Sequence, residues 1–311
     1  ANMASSESQS AEERATALLA TLSSADEPTS ARASAAVKLR ALVASPDAAD
    51  YVLRSYTELF GSIEVLLDDR SGVVRAQAAA SLGILGACLK PELHAFAGWL
   101  LHAAHTRSGR PERLPSGQLL PSPWSLLLSA LHECVQQLHR ERAAAAVLPF
   151  LPELLGCVQS MLRELHEPSL LAALLPLLAT LARPETAAAV RPHFAELVDL
   201  LLGWALDPRS ASGANERICE ALGGQLGPLW AASAPFAVGL MHKLVDDVER
   251  LHLPDGAHAS DGAAAAQWAA QLGRFVRVFC AAASGLGPRY AQLAEQPALT
   301  ARLLACLNAA V

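Results

Sequence analysis

The sequence predicts an all-α fold, an α-solenoid of antiparallel HEAT-like helix pairs. Three observations lead there. Apolar residues recur every three to four positions in segment after segment of the 311 residues, which is the period of amphipathic helices. No segment alternates at strand period into a hairpin. Ala and Leu, both good helix formers, dominate a composition in which aromatics reach only 5%, too few for a β-sandwich or barrel. Consecutive antiparallel helices with no sheet to cover bury their apolar faces on one another, and each pair is completed by the next.

Residues 11–23 and 31–44 read as a short first pair, split by Ser-Ala-Asp-Glu-Pro at 24–28. A third helix covers 51–67. The stretch LLDDRSGVVRAQAAASLGIL (66–85) puts Asp69 before a turn, Val74-Arg75 at the next helix start, and Ala78, Leu82 and Leu85 along its face. Gly83 suits a close helix contact. This stretch resembles the HEAT signature, in which Asp, Val-Arg, small residues and Leu-Gly recur at fixed offsets; the other pairs match it only in apolar periodicity. A fifth helix spans 91–105. Pro, Gly, Ser and Arg crowd 106–123, which reads as a long loop. Helices follow near 123–139, 147–165, 168–182, 187–206, 213–226, 233–251, 264–286 and 298–310, with a second loop, HLPDGAHASDG, at 252–262. Pro149, Pro152 and Pro168 sit near helix starts, where a missing N–H costs little. Pro176 falls inside its helix and predicts a kink.

Charged residues make up 17% of the chain, against a usual value of about 25%. The net charge of −6 leaves no global positive field to attract nucleic acid. Arg107, Arg110 and Arg113 form one basic cluster, read as a solvated loop with a phosphate or RNA contact as the alternative. Cys88, Cys134, Cys157, Cys219, Cys280 and Cys306 form no CxxC and mostly lie among apolar residues, as small buried thiols do. With no signal peptide in view, they point to a reducing intracellular compartment. Residues 221–241 carry no charge over 21 positions, long enough to span a bilayer. Gly223, Gly224, Gly227, Gly239, Pro228 and Pro235 make a helix–turn–helix junction the expected reading instead.

The sequence offers no catalytic set. No Gly precedes a Lys as a GxxxxGK[ST] loop needs, and GxSxG, HRD and DFG elements are absent. His132-Glu133 opens like a zincin motif, but Gln136 stands where the second imidazole belongs. His139 lies two turns on, about 10 Å by helix rise, too far to share one Zn²⁺. His102 and His105, three apart near a helix end, read as surface or capping residues. Asp246, Asp247 and Glu249 alternate with Leu244, Val245, Val248 and Leu251. They read as the solvated face of an amphipathic helix, ahead of an acidic partner surface and of acid–base catalysis.

Three segments carry a family resemblance. HFAELVDLLLGWALD (193–207) sets Phe194, Leu197, Val198, Leu201, Leu202 and Ala205 on one stripe, with Trp204 beside its end. Pro228-Leu229-Trp230 then leads to Phe236, Leu240 and the run Leu244 to Glu249. Leu272-Gly273-Arg274-Phe275-Val276-Arg277-Val278-Phe279 precedes Gly287-Pro288-Arg289-Tyr290. In this order and spacing the chain resembles the N-terminal HEAT-like helical region of the phosphatidylinositol-3-kinase-related Ser/Thr kinase of nonsense-mediated mRNA decay. The match covers about 100 residues; the first 190 match only as helical repeats.

The resemblance implies a non-catalytic scaffold of a very large protein Ser/Thr kinase that phosphorylates an RNA helicase, with the catalytic domain outside this chain. Catalytic, cofactor-binding and metal residues are therefore expected to be none, and no cofactor is implied. The implied partners are a regulatory heterodimer, one member GTPase-like, and the rest of the kinase chain. No membrane and no direct nucleic-acid contact is expected, and the implied location is the cytoplasm first and the nucleus second. No short motif marks the docking surface, so its residues are unknown. Phe194, Trp204, Trp230 and Phe275 read as core anchors. The expected organisation is 1–105 as N-terminal HEAT-like helices, 106–123 as loop, and 124–311 as family-matching repeats. The apolar periodicity of Leu303, Leu304, Leu307 and Val311 predicts further chain beyond them, since a terminal repeat carries a polar outer face. The alternative is a stand-alone HEAT- or armadillo-type adaptor.

Overall fold

A computed structural model describes residues 2–89, 93–106, 123–164, 168–209, 213–251 and 262–309. Among the described residues the chain is all-α, with no strand. It divides into two compact units, Ala1–Phe150 with Ser169–Thr180, and Leu151–Pro168 with Leu181–Val311. The helices on both sides of the expected 106–123 loop belong to the first unit. Residues 107–122 of that loop and 252–261 of the second lie outside the described residues.

The first unit contains α1 (Asn2–Ser23), α2 (Thr29–Val43), α3 (Ala49–Arg54), α4 (Tyr56–Glu64), α5 (Gly72–Cys88), α6 (Leu93–Thr106) and α7 (Pro123–Arg140). Of the next two, α8 (Leu151–Glu164) belongs to the second unit and nearly all of α9 (Pro168–Leu181) to the first. Helix α1 begins well before the expected residue 11. The helix expected over 51–67 is broken at Ser55 and ends in a 3-10 turn, Val65–Asp68. Ser competes with the helix for its own backbone groups, and Ser55 leaves the helical conformation at φ −102°, ψ 19°. Helix α9 runs unbroken through Pro176.

Helix α5 is the centre of this unit. Val74, Ala78, Ala79, Leu82, Leu85 and Ala87 are all buried, so it has no solvated stripe over most of its length. Its start is built by the residues singled out above. The Ser71 hydroxyl accepts the Val74 N–H, and the Asp69 carboxylate accepts the Ser71 N–H at 2.7 Å, an N-terminal cap. Asp69 also pairs with Arg32 of α2, whose guanidinium donates to the Leu22 carbonyl at the end of α1. The HEAT-like Asp, through Arg32, thus ties the start of α5 to α2 and to the end of α1.

The helices pack in two alternating sets. α5 packs on α2 and α7, and these are next-but-one neighbours along the chain once α3 and α4 are taken as one broken helix. α4 and α6 meet through Phe60 and Trp99, ring centroids 4.8 Å apart, and through Trp99 Nε1 donating to Glu64 at 3.0 Å. α4 also packs on α5, and α6 on α7. Arg32–Asp69 and Arg40–Gln77 join residues separated by the same 37 positions. That constant separation means α2 and the start of α5 run in the same direction.

The second unit holds α8, α10 (Pro184–Val190), α11 (Phe194–Leu206), α12 (Ala214–Glu220), α13 (Gly227–Ala232), α14 (Ala234–Arg250), α15 (Gly262–Leu286) and α16 (Gln296–Ala309). Pro192 lacks an N–H to continue a helix, and a 3-10 turn at Arg191–His193 divides the helix expected over 187–206. The uncharged run 221–241 is broken twice, by a π-helical turn at Ala221–Gln225 and again at Ser233. Here α12 packs on α11 and α15, and α14 on α15 and α16. By length and composition Ala144–Glu164 is apolar enough to cross a membrane; here it buries Val147, Leu151, Leu155 and Val158.

Gly83 is where α5 meets α7 most closely. A Cβ there would enter the Ala130 carbonyl and come within 2.9 Å of Glu133 Cβ. Gly83→Ala is expected to destabilise the chain by about 1–3 kcal/mol through overpacking, despite the better helix propensity of Ala. Thermal unfolding followed by circular dichroism checks it. An unchanged or raised Tm would rule out the tight contact.

Candidate functional site

Polar side chains from three helices form a ladder across α2, α5 and α7. Arg40 of α2 donates to Glu133 of α7 at 2.6 Å and to Gln77 of α5 at 3.5 Å. On α7, Arg140 donates to Gln136 and Gln137, each at 3.1 Å, and Gln137 donates to Glu141 at 2.7 Å. His132 Nε2 lies 2.9 Å from Gln136 Nε2 and 3.1 Å from Thr180 Oγ1, which brings α9 into the same network. Arg40, Glu133, His132 and Gln136 all keep some exposure. The ladder therefore offers charged and amide groups, fixed by their mutual hydrogen bonds, to a protein surface. Sequence reasoning singled out only His132, Glu133 and Gln136, and asked of them only whether they hold a metal.

His132 and Glu133 each have a polar partner on another helix. The His132 imidazole is engaged with Thr180 and Gln136, and Glu133 turns to Arg40. Among the described residues no three His, Cys, Asp or Glu side chains converge as a metal site would need. The His132–Thr180 contact resembles a base beside a nucleophile, but Thr180 is buried and its hydroxyl donates to the Pro176 carbonyl. That leaves it no reach to a substrate. His102 is exposed on α6, while the His105 side chain and Arg107, Arg110 and Arg113 lie outside the described residues.

The acidic cluster is an interhelix clamp. Arg302 of α16 donates to Asp246 at 2.7 Å and to Glu249 at 2.9 and 2.7 Å, while Asp247 faces Arg250 at 3.7 Å. The hydrogen bonds from Arg302 hold both Asp246 and Glu249 below the ordinary carboxylate range. A carboxyl so lowered is a poor proton carrier near neutral pH. The cluster joins α14 to α16.

The aromatic residues of the three marker segments are core. Phe194, Trp204, Trp230 and Phe275 are all buried. Phe194 meets Trp230 edge-on at 5.1 Å, and Trp230 stacks on Phe236 at 6.0 Å. Both indoles are satisfied, Trp230 Nε1 by the Leu222 carbonyl at 2.7 Å and Trp204 Nε1 by that of Leu162 at 3.0 Å. The cysteines depart from expectation. Only Cys134 is buried, and burial pushes its thiol far up. Cys280 is exposed and the other four are half-buried.

No family model, curated protein or solved structure matches this chain.

Acid should loosen the clamp. In the unfolded chain the two carboxylates protonate near pH 4, and in the fold only at lower pH. The folded state thus binds fewer protons in that range. The clamp's contribution is complete above about pH 5 and is lost as pH falls through the lowered folded values. The protection of α16 amides, measured against the unfolded chain's exchange at the same pH, is expected to fall over that window in the parent chain. In Arg302→Gln it should already be lower at pH 7 and change little with acid. Equal protection of α16 in both chains at pH 7 would exclude the clamp.

Proposed function

We propose that this chain is a non-catalytic α-solenoid scaffold, an arm of the large protein Ser/Thr kinase of nonsense-mediated mRNA decay. In this reading it shapes the kinase and docks regulatory protein subunits. The observation that carries the scaffold reading is the alternation of packing partners. In the first unit α2 packs on α5 and α5 on α7, next-but-one partners as in stacked helix pairs. The recurring separation of 37 residues between α2 and the start of α5 is close to the length of one HEAT-type repeat, about 40 residues. A ladder of groups drawn from successive helices is the kind of extended surface such arrays offer to protein partners.

The kinase assignment rests on the three marker segments. They fall on α11, on α13 with α14, and on α15 with the 3-10 turn Gly287–Gln292, all within one unit. Phe194 of the first and Trp230 and Phe236 of the second meet in one aromatic core, while Phe279 and Tyr290 of the third pair with each other. Two markers that build one core support a family likeness better than scattered matches would.

The test is co-purification of the full chain with the regulatory heterodimer of the decay kinase. Retention of both subunits is expected, weakened about tenfold, or 1.4 kcal/mol, by charge reversal at Arg40 if the ladder is the docking face. A helical, monodisperse chain that leaves both subunits in the flow-through would sink the docking claim.

A further inference from the structure

Helices α12 and α15 lie side by side in fixed register. Arg277 pairs with Glu216 and donates to Asn215 at 3.2 Å, and two turns on Ser284 Oγ donates to the Gly223 carbonyl at 3.2 Å. The Arg277–Glu216 and Ser284–Gly223 contacts both join residues 61 positions apart. The two helices therefore run in the same direction, with Gly223 against the Ala281–Ser284 turn of α15. Positions 216 and 219 on α12, continued by 223 on the π-helical turn that follows it, form one stripe, and 277, 280 and 284 form the facing stripe on α15. The pair between the two hydrogen-bonded rungs is Cys219 and Cys280.

The helices are close here. A Cβ at Gly223 would stand 3.3 Å from Ala281 Cα. Close approach of this kind is what a disulfide between helices needs, since its Cα atoms stand only about 4.4–6.8 Å apart. Both thiols are free, Cys280 exposed and Cys219 half-buried. Arg277 acts on Cys219 by its positive charge, against a larger effect of burial that pushes this thiol up to about 11; Cys280 is near enough to add to the rise.

We propose that Cys219 and Cys280 form a dithiol modification site, closed to an inter-helix disulfide by a hydroperoxide. The exposed Cys280 reacts first. Its thiolate sulfur attacks one peroxide oxygen, the O–O bond breaks, and the departing oxygen takes up a proton, leaving a sulfenic acid on Cys280. Cys219 Sγ then attacks Cys280 Sγ. The S–S bond forms, hydroxide leaves, and the Cys219 proton converts it to water. Two thiols lose two electrons, and the hydroperoxide is reduced to an alcohol (or water) and one further water. Because Cys219 is held protonated near neutral pH, closure speeds up as pH rises towards its range. The bond staples α12 to α15 across 61 positions and is undone by a thiol reductant.

The test uses the full chain, reduced, freed of reductant, and treated with equimolar hydrogen peroxide. Remaining thiols are alkylated, and trypsin digestion without reductant is read by mass spectrometry. Residues 218–243 and 278–289 are separate tryptic peptides with one cysteine each. They are expected to appear disulfide-linked, and to separate after dithiothreitol. Cys219→Ser and Cys280→Ser should each abolish the link, while Cys157→Ser keeps it. Cys280 driven to sulfinic acid with Cys219 still alkylated would overturn the proposal, as would a link from either residue to a different cysteine. The mapping on the parent chain decides the matter even where a variant fails to fold.

Discussion

Helix backbones in this protein approach closely only where side chains are nearly absent, and the packing of both units hangs on those places. Gly83 admits the backbone of α7, Gly86 admits the Phe96 ring, which would lie 2.6 Å from a Cβ placed there, Gly223 admits α15, and Gly285 admits the Trp230 indole. Each is a place where a methyl group would force a shift. The Ala-rich sequence around them has the same effect at lower intensity. With few bulky residues to fill space, a core of Ala and Leu reaches native density only when helix axes come close. The closeness then fixes which groups at the rim can meet. Arg40 spans α5 to reach Glu133 only because α5 keeps its neighbours near.

The π-helical turn at Ala221–Gln225 shows the same dependence. Such turns often mark functional sites, but this one has a packing cause. Leu226 N–H bonds back to the Ala221 carbonyl at 3.0 Å. The Leu222 carbonyl takes the Trp230 indole N–H, and the Gly223 carbonyl takes the Ser284 hydroxyl. The extra residue in the turn re-aims two carbonyls at partners that a regular helix would keep from them. The fully buried Trp230 needs that acceptor, since a buried N–H left unpaired costs about 1–3 kcal/mol.

Much of this was legible in the sequence. Periodicity located the helices, because burying one stripe is a local demand written every three or four residues. The Asp69, Val74-Arg75 and Gly83 pattern foretold a turn, a helix start and one tight face, and the four aromatic anchors are where core residues belong. The breaks were less legible. Ser55, Pro192 and the 221–225 turn interrupt stripes whose period continues across them, so periodicity alone runs through. The ladder was hidden for a different reason. Arg40, Gln77 and Glu133 are ordinary polar residues on three separate helices, and nothing local marks them as neighbours. The separation of 37 between Arg40 and Gln77 acquires meaning only once α2 and α5 are known to run alongside. The acidic cluster read as a solvated face because its neutralising residue, Arg302, stands more than 50 positions away.

The polar rungs do something that apolar burial cannot. Dispersion and hydrophobic contact hold two helices together but are tolerant of sliding, since one turn of Ala and Leu looks much like the next. A rung such as Arg32–Asp69 or Ser284–Gly223 is satisfied in one register only. Sliding by one turn would move its partners about 5.4 Å apart, beyond hydrogen-bond reach. The exposed ion pairs among the rungs, such as Arg277–Glu216, add little stability, roughly 0–1 kcal/mol, so their chief effect here is selection of register. For a scaffold that selection is functional. A partner that reads groups from several helices at once needs their spacing held to a fraction of a turn, and it is the rungs, not the core, that set it.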